Sequence, residues 1–550
     1  MLEEPKKLNA EVIAVLPNKI KIAVDKLEDF KIAEESLKLG SYLKISDNEN
    51  TGLVAMISNY LIEVDDEGKR RYIIEANPLG TLKDGKFKRG GDELAIPPKD
   101  ASPLAKDDVR KIYESSLEEK DKFKFSTLSR DRNIDIPVNG NRFFNKHIAI
   151  VGATGSGKSC TVARILQNAK DAKSGNYQGL NNSHIVIFDI HSEYKNAFPD
   201  ANYIDINNLI LPYWLLNSEE LEELFIDTEA NDHNQRNTFK QAVIKSKKDN
   251  STVDEALKSK IHYDSTLFFE IKEVLEQAEH KNTEVIDTGE VYASGEKKGQ
   301  PKTTQGSLYG KLTNFISRLE SKINDKRLDF LLGEKSKKIT FEQTLAQFLA
   351  YKKDGEANIT IFDLSGIPFE VLSITVSLIT RLLFDYGYYY KKKNNSSDTP
   401  LLLVFEEAHK YVPKSDLARY RASQMAIERV AKEGRKYGVT LLIASQRPSE
   451  ISETIFSQCS NFIAMRLTNP DDQNYVKRLL PDTLGAITET LPALEAGEAL
   501  LIGDSVVMPS LIYVDRCERE PSSKDIPYLD IWKEKWKDVE FPKVIQEWRK

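Results

Sequence analysis

The stretch "HIAIVGATGSGKS", His147–Ser159, points to the fold class of this 550-residue chain. Its second part, "GATGSGKS", matches the pattern G-x-x-x-x-G-K-[ST], in which backbone N–H groups and a lysine bind the phosphates of a nucleotide. The motif follows the apolar strand "HIAIV" and precedes the helix-forming run "CTVARILQNA", the context that a phosphate-binding loop requires. A chance match has odds of about one per cent in a chain this long. The sequence therefore predicts a nucleotide-binding α/β domain.

The loop residues are the first candidates for ligand binding. We expect Lys158 to reach the β- and γ-phosphates and the Ser159 hydroxyl to bind Mg²⁺. The residues expected to bind the nucleotide are Gly152, Ala153, Thr154, Gly155, Ser156, Gly157, Lys158, Ser159 and Cys160. The expected cofactors are ATP and Mg²⁺.

A second apolar strand ends in two acids. The segment "PLLLVFEEAHKYV", Pro400–Val412, runs from aliphatic residues and a phenylalanine straight into Glu406 and Glu407. Buried carboxylates normally need a metal, a cationic partner or a reaction to serve. Beside a phosphate loop, we expect Glu406 to hold Mg²⁺ through its water shell and Glu407 to polarise the attacking water. Taken alone, the pair fits equally well a strand that ends in solvated glutamates.

Three further polar residues are candidates for a part in hydrolysis. Gln446, in "IASQRP", is a candidate sensor of the γ-phosphate. Arg429 and Arg435, in "IERVAKEGRKYG", lie on a predicted helix that ends at Gly438, and either suits an arginine finger that reaches an adjacent subunit. A solvated strand end for the glutamine and a solvated basic face for each arginine are the alternatives.

The chain divides into six predicted segments. They are an N-terminal β-barrel (1–100), a connector (101–139), a first part of an ATPase core (140–204), a helical insertion (205–350), a second part of the core (351–515) and a C-terminal helical extension (516–550). Short strands separated by Asn, Asp, Gly and Pro indicate the barrel. Apolar runs alternating with helices indicate a parallel sheet buried on both faces.

Several smaller features complete the predicted organisation. Within the insertion, the polar segment Asp287–Ser307 predicts a mobile loop. In the C-terminal extension, Trp532, Trp536 and Trp548 need a surface to pack against. Further acids at core strand ends, Asp189, Glu193 and Asp363, would face the ligand crevice, although single acids there are often structural.

The composition argues against several other classes of protein. The net charge of −7 comes with no basic tail, so contact with nucleic acid would require a local patch. Three cysteines without CxxC spacing argue against a zinc site and a disulfide framework. The first residues lack the apolar core of a signal peptide, and the apolar stretch Val371–Phe384 is too short for a membrane span and contains Arg381. A soluble, cytoplasmic protein is expected.

Six segments, in this order, resemble the HerA-like ATPases. They are "HIAIVGATGSGKS", "DIHSEY", "DLSGIPFEVLSITVSLITRLLFDYGYYY", "EEAHKYVP", "GRKYGVTLLIASQRPSEI" and "LEAGEALLIG". The resemblance spans nearly the whole chain. It implies a RecA-like P-loop NTPase core of the HerA–FtsK branch, assembled as a homo-hexameric ring that moves double-stranded DNA through its central pore at the expense of ATP. It also implies that the N-terminal barrel serves ring assembly and partner docking.

The resemblance assigns roles to individual residues. Carried over by motif, the phosphate and Mg²⁺ residues are Lys158 and Ser159, the metal-side and catalytic acids Glu406 and Glu407, the sensor Gln446, and the trans arginine finger Arg435. Lys146 stands where many relatives carry a basic residue near the neighbouring subunit's nucleotide. Many relatives have Asp-Glu in place of Glu406-Glu407, and a Mg²⁺ contact made through water can absorb the extra methylene.

The resemblance further implies a partner enzyme. HerA-like rings act with a nuclease of the NurA type or, in bacterial antiviral defence, with sirtuin-like and other effector subunits. The sequence itself has no nuclease signature, which favours a motor subunit that serves a separate effector.

Parts of the sequence also fit two other functions. The first is an ATP-binding ring that serves mainly as a scaffold or allosteric activator of an effector enzyme, which a barrel and a Trp-rich tail would permit. The second is an ABC-type ATPase, suggested by "LSG" at Leu364–Gly366. The residues that follow are "IPFE", whereas an ABC signature continues as LSGGQ, so the second is set aside.

Overall fold

The computed structural model describes residues 10–548 except 17, 25–36, 49–50, 65–67, 69, 84–85, 91–99, 175–176, 179–183, 227–232, 294–295, 351–357, 415–420, 480–484, 524–525 and 538. The N-terminal strands are β1 (Ala10–Leu16), β2 (Lys19–Val24), β3 (Tyr42–Asn48), β4 (Thr51–Val64), β5 (Arg70–Lys83), β6 (Lys86–Arg89) and β7 (Asp100–Pro103).

These seven strands form one antiparallel sheet with its own apolar core. The order is β1-β2-β5-β4-β3-β7, and β6 also pairs with β5. Alternating residues such as Ile20, Ile22 and Ile74 turn inward, as expected for strands with one buried face. The end strands β1 and β7 approach within 8 Å between Cα atoms, so the sheet curls toward closure. No hydrogen-bonded ladder joins β1 to β7 among the described residues, and full closure of the barrel stays a prediction.

The remaining strands build the ATPase core and three small ribbons. They are β8 (Lys122–Phe123), β9 (Ser126–Leu128), β10 (Asp131–Asp135), β11 (Val138–Asn139), β12 (His147–Val151), β13 (Lys173–Ser174), β14 (Tyr177–Gln178), β15 (His184–Asp189), β16 (Asn202–Ile204), β17 (Val285–Val291), β18 (Pro301–Gln305), β19 (Ile359–Asp363), β20 (Leu401–Phe405), β21 (Val439–Ser445), β22 (Cys459–Met465), β23 (Glu498–Gly503) and β24 (Ser510–Val514).

Eleven of them form the central sheet, in the order β10-β9-β24-β23-β22-β12-β21-β20-β15-β19-β16. From β22 to β16 all neighbours are parallel, and from β22 to β10 they are antiparallel. Every residue of β12, β15, β19, β20 and β21 is buried. Helices therefore cover both faces of the parallel part, as its apolar runs predict.

The α-helices are Lys106–Ser115, Gly140–Phe144, Lys158–Asp171, Ser218–Phe225, His233–Asp249, Glu255–Lys258, Ile271–Thr283, Thr313–Ile323, Asp329–Leu332, Glu334–Lys338, Phe341–Leu349, Phe369–Asn394, Arg421–Glu433, Glu453–Gln458, Pro470–Leu479, Gly485–Thr488, Tyr528–Trp532 and Phe541–Trp548. Helix ends follow local chemistry. Ser218–Phe225, for example, begins with a capping box in which Asn217 and Glu220 exchange hydrogen bonds with each other's backbone N–H groups.

The apolar stretch around Arg381 lies in the 26-residue helix Phe369–Asn394, whose middle is buried in the core. The Arg381 guanidinium donates to the buried Glu220 carboxylate at 2.7 Å. A soluble protein buries such a charge only with a partner, so this is a core helix. Among the helices of the described residues, none is both long and apolar enough to cross a membrane.

The predicted connector, residues 101–139, is packed into the central sheet and its core. Residues 101–139 contain β9 and β10 at the edge of the central sheet, and Phe125 and Ile136 are buried in the main core. The segment thus carries strands of the core together with the link to the N-terminal sheet. The domain boundaries themselves stay predictions.

One expectation about the insertion is wrong. The predicted loop Asp287–Ser307 contains most of an antiparallel hairpin, β17–β18, whose strands are almost wholly solvent-exposed. Polar composition here reflects two exposed strand faces and not a lack of secondary structure. The three tryptophans of the C-terminal extension are exposed as well, at 74% for Trp532, 98% for Trp536 and 87% for Trp548.

Candidate active site

The phosphate loop, the two glutamates and Gln446 meet at the carboxyl edge of the parallel sheet, where such folds bind ligands. The phosphate loop follows β12, Glu406 and Glu407 follow β20, and Gln446 follows β21. Strand β21 lies between the other two, in register with both: Ser445 pairs with Val151, and Ile443 pairs with Phe405. The sheet order therefore places the glutamine between the phosphate loop and the two acids.

The loop has the shape of a phosphate cradle. Gly155 and Gly157 have φ of +72° and +97°, conformations that favour glycine. A Cβ on Gly152 would lie 2.5 Å from Ser156 Oγ and 2.8 Å from Met465 Cβ, so the loop has no room for a side chain there. Gly157 caps the helix Lys158–Asp171 without a side-chain hydrogen bond, which leaves its first N–H groups directed at the loop. These features fit the phosphates of a nucleotide.

Glu407 is the centre of the polar contacts in the site. It is 3% exposed, and its Oε1 accepts from Lys158 Nζ at 3.3 Å and from Gln446 Nε2 at 2.5 Å. Its Oε2 lies 3.3 Å from Nδ1 of His409. Its backbone has φ +49° and ψ +49°, which costs a non-glycine residue about 1–2 kcal/mol. The sheet and these contacts hold the carboxylate in a strained position facing the loop.

Glu406 lies in a different environment. It is 1% exposed, and Oε2 accepts a hydrogen bond from the Tyr194 hydroxyl at 3.0 Å. Burial raises the pKa of Glu406 to about 7, the Lys158 ammonium lowers it, and the charge of Glu407 raises it. A bound cation would favour the ionised form of such a group.

The donors present suit a magnesium ion held mostly by phosphate and water. Among the described residues, no group of three or more His, Cys, Asp or Glu side chains is placed to hold a metal. Mg²⁺ commonly keeps several waters and takes only one or two protein ligands beside the substrate phosphates. The Ser159 hydroxyl, and Glu406 through water, would supply these contacts.

The acids at neighbouring strand ends are engaged in local structure. Asp189 accepts backbone hydrogen bonds from His191 and Tyr194, and burial raises its pKa. Asp363 accepts from the Ser365 backbone N–H and from the hydroxyl of Tyr203. Asp189 thus shapes the turn that presents Tyr194 to Glu406, so its contribution to the site is indirect.

The candidate finger residues lie at the opposite edge of the sheet. Arg435 is in the 3₁₀ turn Gly434–Tyr437, just before the amino end of β21, and lines a cavity of about 490 Å³ there. Lys146 precedes β12 and contacts Asp504. A five-residue strand spans roughly 15 Å, so neither side chain is near the phosphate loop of its own chain.

Arg429 is occupied within its own subunit. Its guanidinium lies 4.4 Å from the centre of the Phe384 ring, and Nη1 lies 3.4 Å from Asp385 Oδ1. These contacts tie the helix Arg421–Glu433 to the long helix Phe369–Asn394. Of the two predicted finger candidates, Arg435 is the one without an ion-pair partner among the described residues.

Cys160 follows the loop, as predicted, and also touches a distant part of the chain. Its Sγ lies 2.7 Å from Sγ of Cys517, which begins the C-terminal extension. The three cysteines are free.

Sequence reasoning missed two neighbours of the loop. His409 faces Glu407 and also lies 3.3 Å from Ser445 Oγ. Arg466 follows β22, where its carbonyl accepts from Ala153 N–H at 2.7 Å and its guanidinium lies 3.5 Å from the Gly155 carbonyl. A basic residue directly after the apolar strand "NFIAM" was a visible signal, but the position of that strand beside β12 was not.

The family comparison agrees with this geometry. Residues 123–383 match the family model described as "Helicase HerA, central domain". A probable helicase of Methanocaldococcus jannaschii is 24% identical over 537 residues, covering 92% of each chain. The DNA double-strand break repair helicase HerA of Saccharolobus solfataricus is 26% identical over 531 residues, covering 91% of this chain and 92% of the relative.

Two solved structures are similar to this chain over about three quarters of its length. VirB4 of Thermoanaerobacter pseudethanolicus has a TM-score of 0.45 at 14% identity, covering 75% of this chain and 98% of that one. Plasmid coupling protein TrwB in complex with ADP and Mg²⁺ has a TM-score of 0.45 at 10% identity, covering 75% and 93%. The central-domain match and these relatives support a HerA-like P-loop motor, an enzyme that hydrolyses ATP.

Proposed function

We propose that the chain is the motor subunit of an ATP-driven double-stranded DNA translocase or helicase that works as a hexameric ring. The observation that carries this proposal is the position of Arg435 and Lys146 at the sheet edge opposite the phosphate loop. Basic groups that cannot serve their own nucleotide are suited to serve that of a neighbouring subunit. A head-to-tail interface of this kind forms a ring when the rotation between subunits closes, and a hexamer is the closed form proposed here.

Within each site, the chain would divide the work among its own residues. Lys158 and the loop N–H groups bind the phosphates of ATP, while Ser159 and the water-linked Glu406 hold Mg²⁺. Glu407 orients and polarises the attacking water, and Gln446 senses the γ-phosphate. Bound Mg²⁺ would neutralise the charge that develops on the phosphates. Arg435 of the neighbouring subunit, with Lys146 beside it, would complete the site, whereas Arg429 serves its own subunit.

The proposed substrate follows from the named relatives, and the proposed partner from the resemblance of the sequence motifs. Several are DNA double-strand break repair helicases, so double-stranded DNA passing through the ring is the proposed substrate. The partner would be a NurA-like nuclease or another effector subunit, such as a sirtuin-like enzyme of antiviral defence. The N-terminal sheet and the C-terminal extension are the surfaces proposed for docking it.

Rings assembled from two inactive variants test whether each active site is built by two adjacent subunits. Lys158→Ala and Arg435→Ala should each abolish most DNA-stimulated ATPase activity, because one removes the phosphate ligand and the other the neighbour's arginine. An equal mixture, unfolded together and reassembled, places an intact lysine opposite an intact arginine at about a quarter of the interfaces. We therefore expect ATPase activity to recover in the mixture.

Lys436→Ala, which removes the neighbouring exposed basic side chain, is the matched control and should keep wild-type activity. Failure of the mixture to recover activity, with rings of normal mass, would contradict a site shared between subunits. An ATPase rate that double-stranded DNA leaves unchanged would contradict the translocase proposal.

A second function is favoured by one observation, the exposed aromatic side chains of the C-terminal extension. A ring that mainly docks and activates an effector would need ATP binding and not turnover. Mixing a Glu407→Gln ring with its effector separates the two functions: retained effector activation supports the scaffold, and its loss supports the motor.

A further inference from the structure

Thr154, at the tip of the phosphate loop, contacts the residue assigned as sensor. Its Oγ1 donates to Oε1 of Gln446 at 2.5 Å. The same amide group donates through Nε2 to Oε1 of Glu407 at 2.5 Å. A chain of two hydrogen bonds therefore runs from the phosphate loop, through the glutamine, to the carboxylate beside the reaction.

The chemistry of the three groups fixes the direction of this chain. An ionised carboxylate only accepts hydrogen bonds, so the amide must turn its NH₂ group toward Glu407. Its carbonyl oxygen then faces Thr154, and the threonine hydroxyl is the donor. With the hydroxyl removed, the amide would lose the contact that distinguishes this orientation from the one flipped by 180°.

The contact matters most once Lys158 serves the nucleotide. The Lys158 ammonium lies 3.3 Å from the same oxygen of Glu407 that Gln446 holds. Phosphates bound in the loop compete for this ammonium, which would leave Gln446 as the donor to Oε1. Glu407 sits on a strained backbone, so a side-chain donor is needed to hold its carboxylate in one orientation.

A role in folding does not explain the contact. Thr154 and Gly155 are exposed at the loop tip, while the buried polar neighbours Ser156 and Lys158 anchor the loop base. A single exposed hydroxyl contributes little to the stability of a chain with so large a core.

We propose that Thr154 is a positioning residue for hydrolysis: its hydroxyl orients Gln446, which in turn holds Glu407 toward the attacking water. The proposal rests on the roles given above to Glu407 and Gln446. It assigns to the second variable position of the loop a function separate from phosphate binding.

Steady-state ATPase kinetics and binding of a non-hydrolysable ATP analogue test the proposal on the full-length protein. Thr154→Val, which replaces the hydroxyl by a methyl group of similar size, should lower kcat by about tenfold, the effect of one well-placed hydrogen bond. Its Kd for the analogue should stay within about twofold of wild type. Thr154→Ser, which restores the hydroxyl, should recover most of the lost kcat.

A double-mutant cycle then shows whether Thr154 acts through Gln446. If it does, Thr154→Val should have little further effect in a Gln446→Ala background. Thr304→Val, in the exposed hairpin, is the matched control and should leave kcat unchanged. Additive effects of the two variants, or a loss confined to nucleotide affinity, would overturn the inference.

The variant Glu407→Gln distinguishes this inference from the function on which it rests. If Glu407→Gln is inactive while Thr154→Val turns over at the wild-type rate, the inference alone is wrong. Wild-type turnover in Glu407→Gln would overturn the role proposed for that acid, and the positioning role with it.

Discussion

At the scale of single residues, the two adjacent glutamates have different surroundings and so different expected tolerances. Glu407 lies within reach of Lys158, Gln446 and His409, whereas Glu406 meets the hydroxyl of Tyr194. The Glu407 carboxylate contacts the lysine of the phosphate loop, and the Glu406 carboxylate contacts a buried tyrosine. The difference between them is one of environment, since the side chains are identical.

Substitution of the two acids should separate their roles. Glu407→Gln keeps shape and removes charge, so kcat should fall on the order of 100-fold or more while ATP affinity stays within about threefold. Glu406→Asp should keep most activity, because a metal contact made through water adjusts to one missing methylene. ATPase rates and binding of a non-hydrolysable analogue would measure both. If Glu406→Asp is as inactive as Glu407→Gln, the assignment of the pair is wrong.

Two buried histidines should make the fold sensitive to acid. Burial lowers the pKa of His147 and of His184 to about 4, and the neutral His147 ring accepts the Leu441 N–H at 3.0 Å. Between about pH 6.5 and 4 the unfolded chain binds protons that these rings cannot, so each histidine lowers the free energy of unfolding as pH falls through this range. The full effect is on the order of 3 kcal/mol per ring.

The difference in unfolding free energy between wild type and His147→Gln isolates this effect. It should shrink as the pH is lowered from about 6.5 to about 4 and stay constant above pH 7. Taking the difference also cancels the opposite contribution of Glu406, whose raised pKa favours the folded state on acidification through about pH 7. A pH-independent difference would show that His147 titrates normally.

At this scale the sequence shows which residues carry chemistry, but not which of them touch. The phosphate loop, both acids and Gln446 were predictable because each stands at a fixed offset from an apolar strand. The contact Thr154–Gln446 and the place of Arg466 beside the loop depend on the order of strands that lie hundreds of residues apart. The spacing of residues along the sequence does not reveal the order of the strands in the sheet.

At the scale of elements, the helical insertion is joined to the core by a buried ion pair. Glu220, on Ser218–Phe225, is wholly buried and accepts from Arg381 Nη2 at 2.7 Å and Nε at 3.1 Å. Ser377 Oγ donates to the same carboxylate at 2.7 Å. The insertion therefore packs on the long helix Phe369–Asn394 through a charge that only this arrangement satisfies.

Breaking this pair should be far more damaging than breaking an exposed one. Glu220→Ala removes the close partner of the Arg381 guanidinium and leaves Asp385, 3.9 Å away, which should cost on the order of 3–5 kcal/mol. Glu453→Ala, which removes the partner of Lys414 from a 2.6 Å ion pair that is more than half exposed, should cost less than about 1 kcal/mol. Denaturant unfolding would measure both. Equal losses would contradict the stabilising role of the buried pair.

Elements were predictable from the sequence where periodicity and length agreed. The parallel strands were recognised because burial on both faces leaves uninterrupted apolar runs. The hairpin β17–β18 was not recognised, because both of its faces are exposed to solvent and its composition resembles that of a loop. The antiparallel extension of the central sheet was missed for another reason: β9 and β10 are short and lie far from β24 in sequence.

At the scale of the whole molecule, the proposed ring predicts a definite particle. Six chains of 62.4 kDa give about 374 kDa. Native mass spectrometry should show this mass with ATP and Mg²⁺ present. Lys158→Ala should lower the hexamer fraction, because it weakens binding of a ligand that joins adjacent subunits. A monomer under all nucleotide conditions would contradict the ring and the shared site together.

The central sheet also has a consequence for how the chain is made. Thr127 of β9 pairs with Tyr513 of β24. Strand β9 is therefore synthesised long before this neighbouring strand. At ribosomal speeds of about 5–20 residues per second, roughly 390 residues take about 20–80 s to appear. During that interval β9 can pair with β10 but lacks its other native neighbour, β24. Cotranslational folding would therefore proceed outward from the parallel strands, with the emerging edge a natural client for chaperones until synthesis ends.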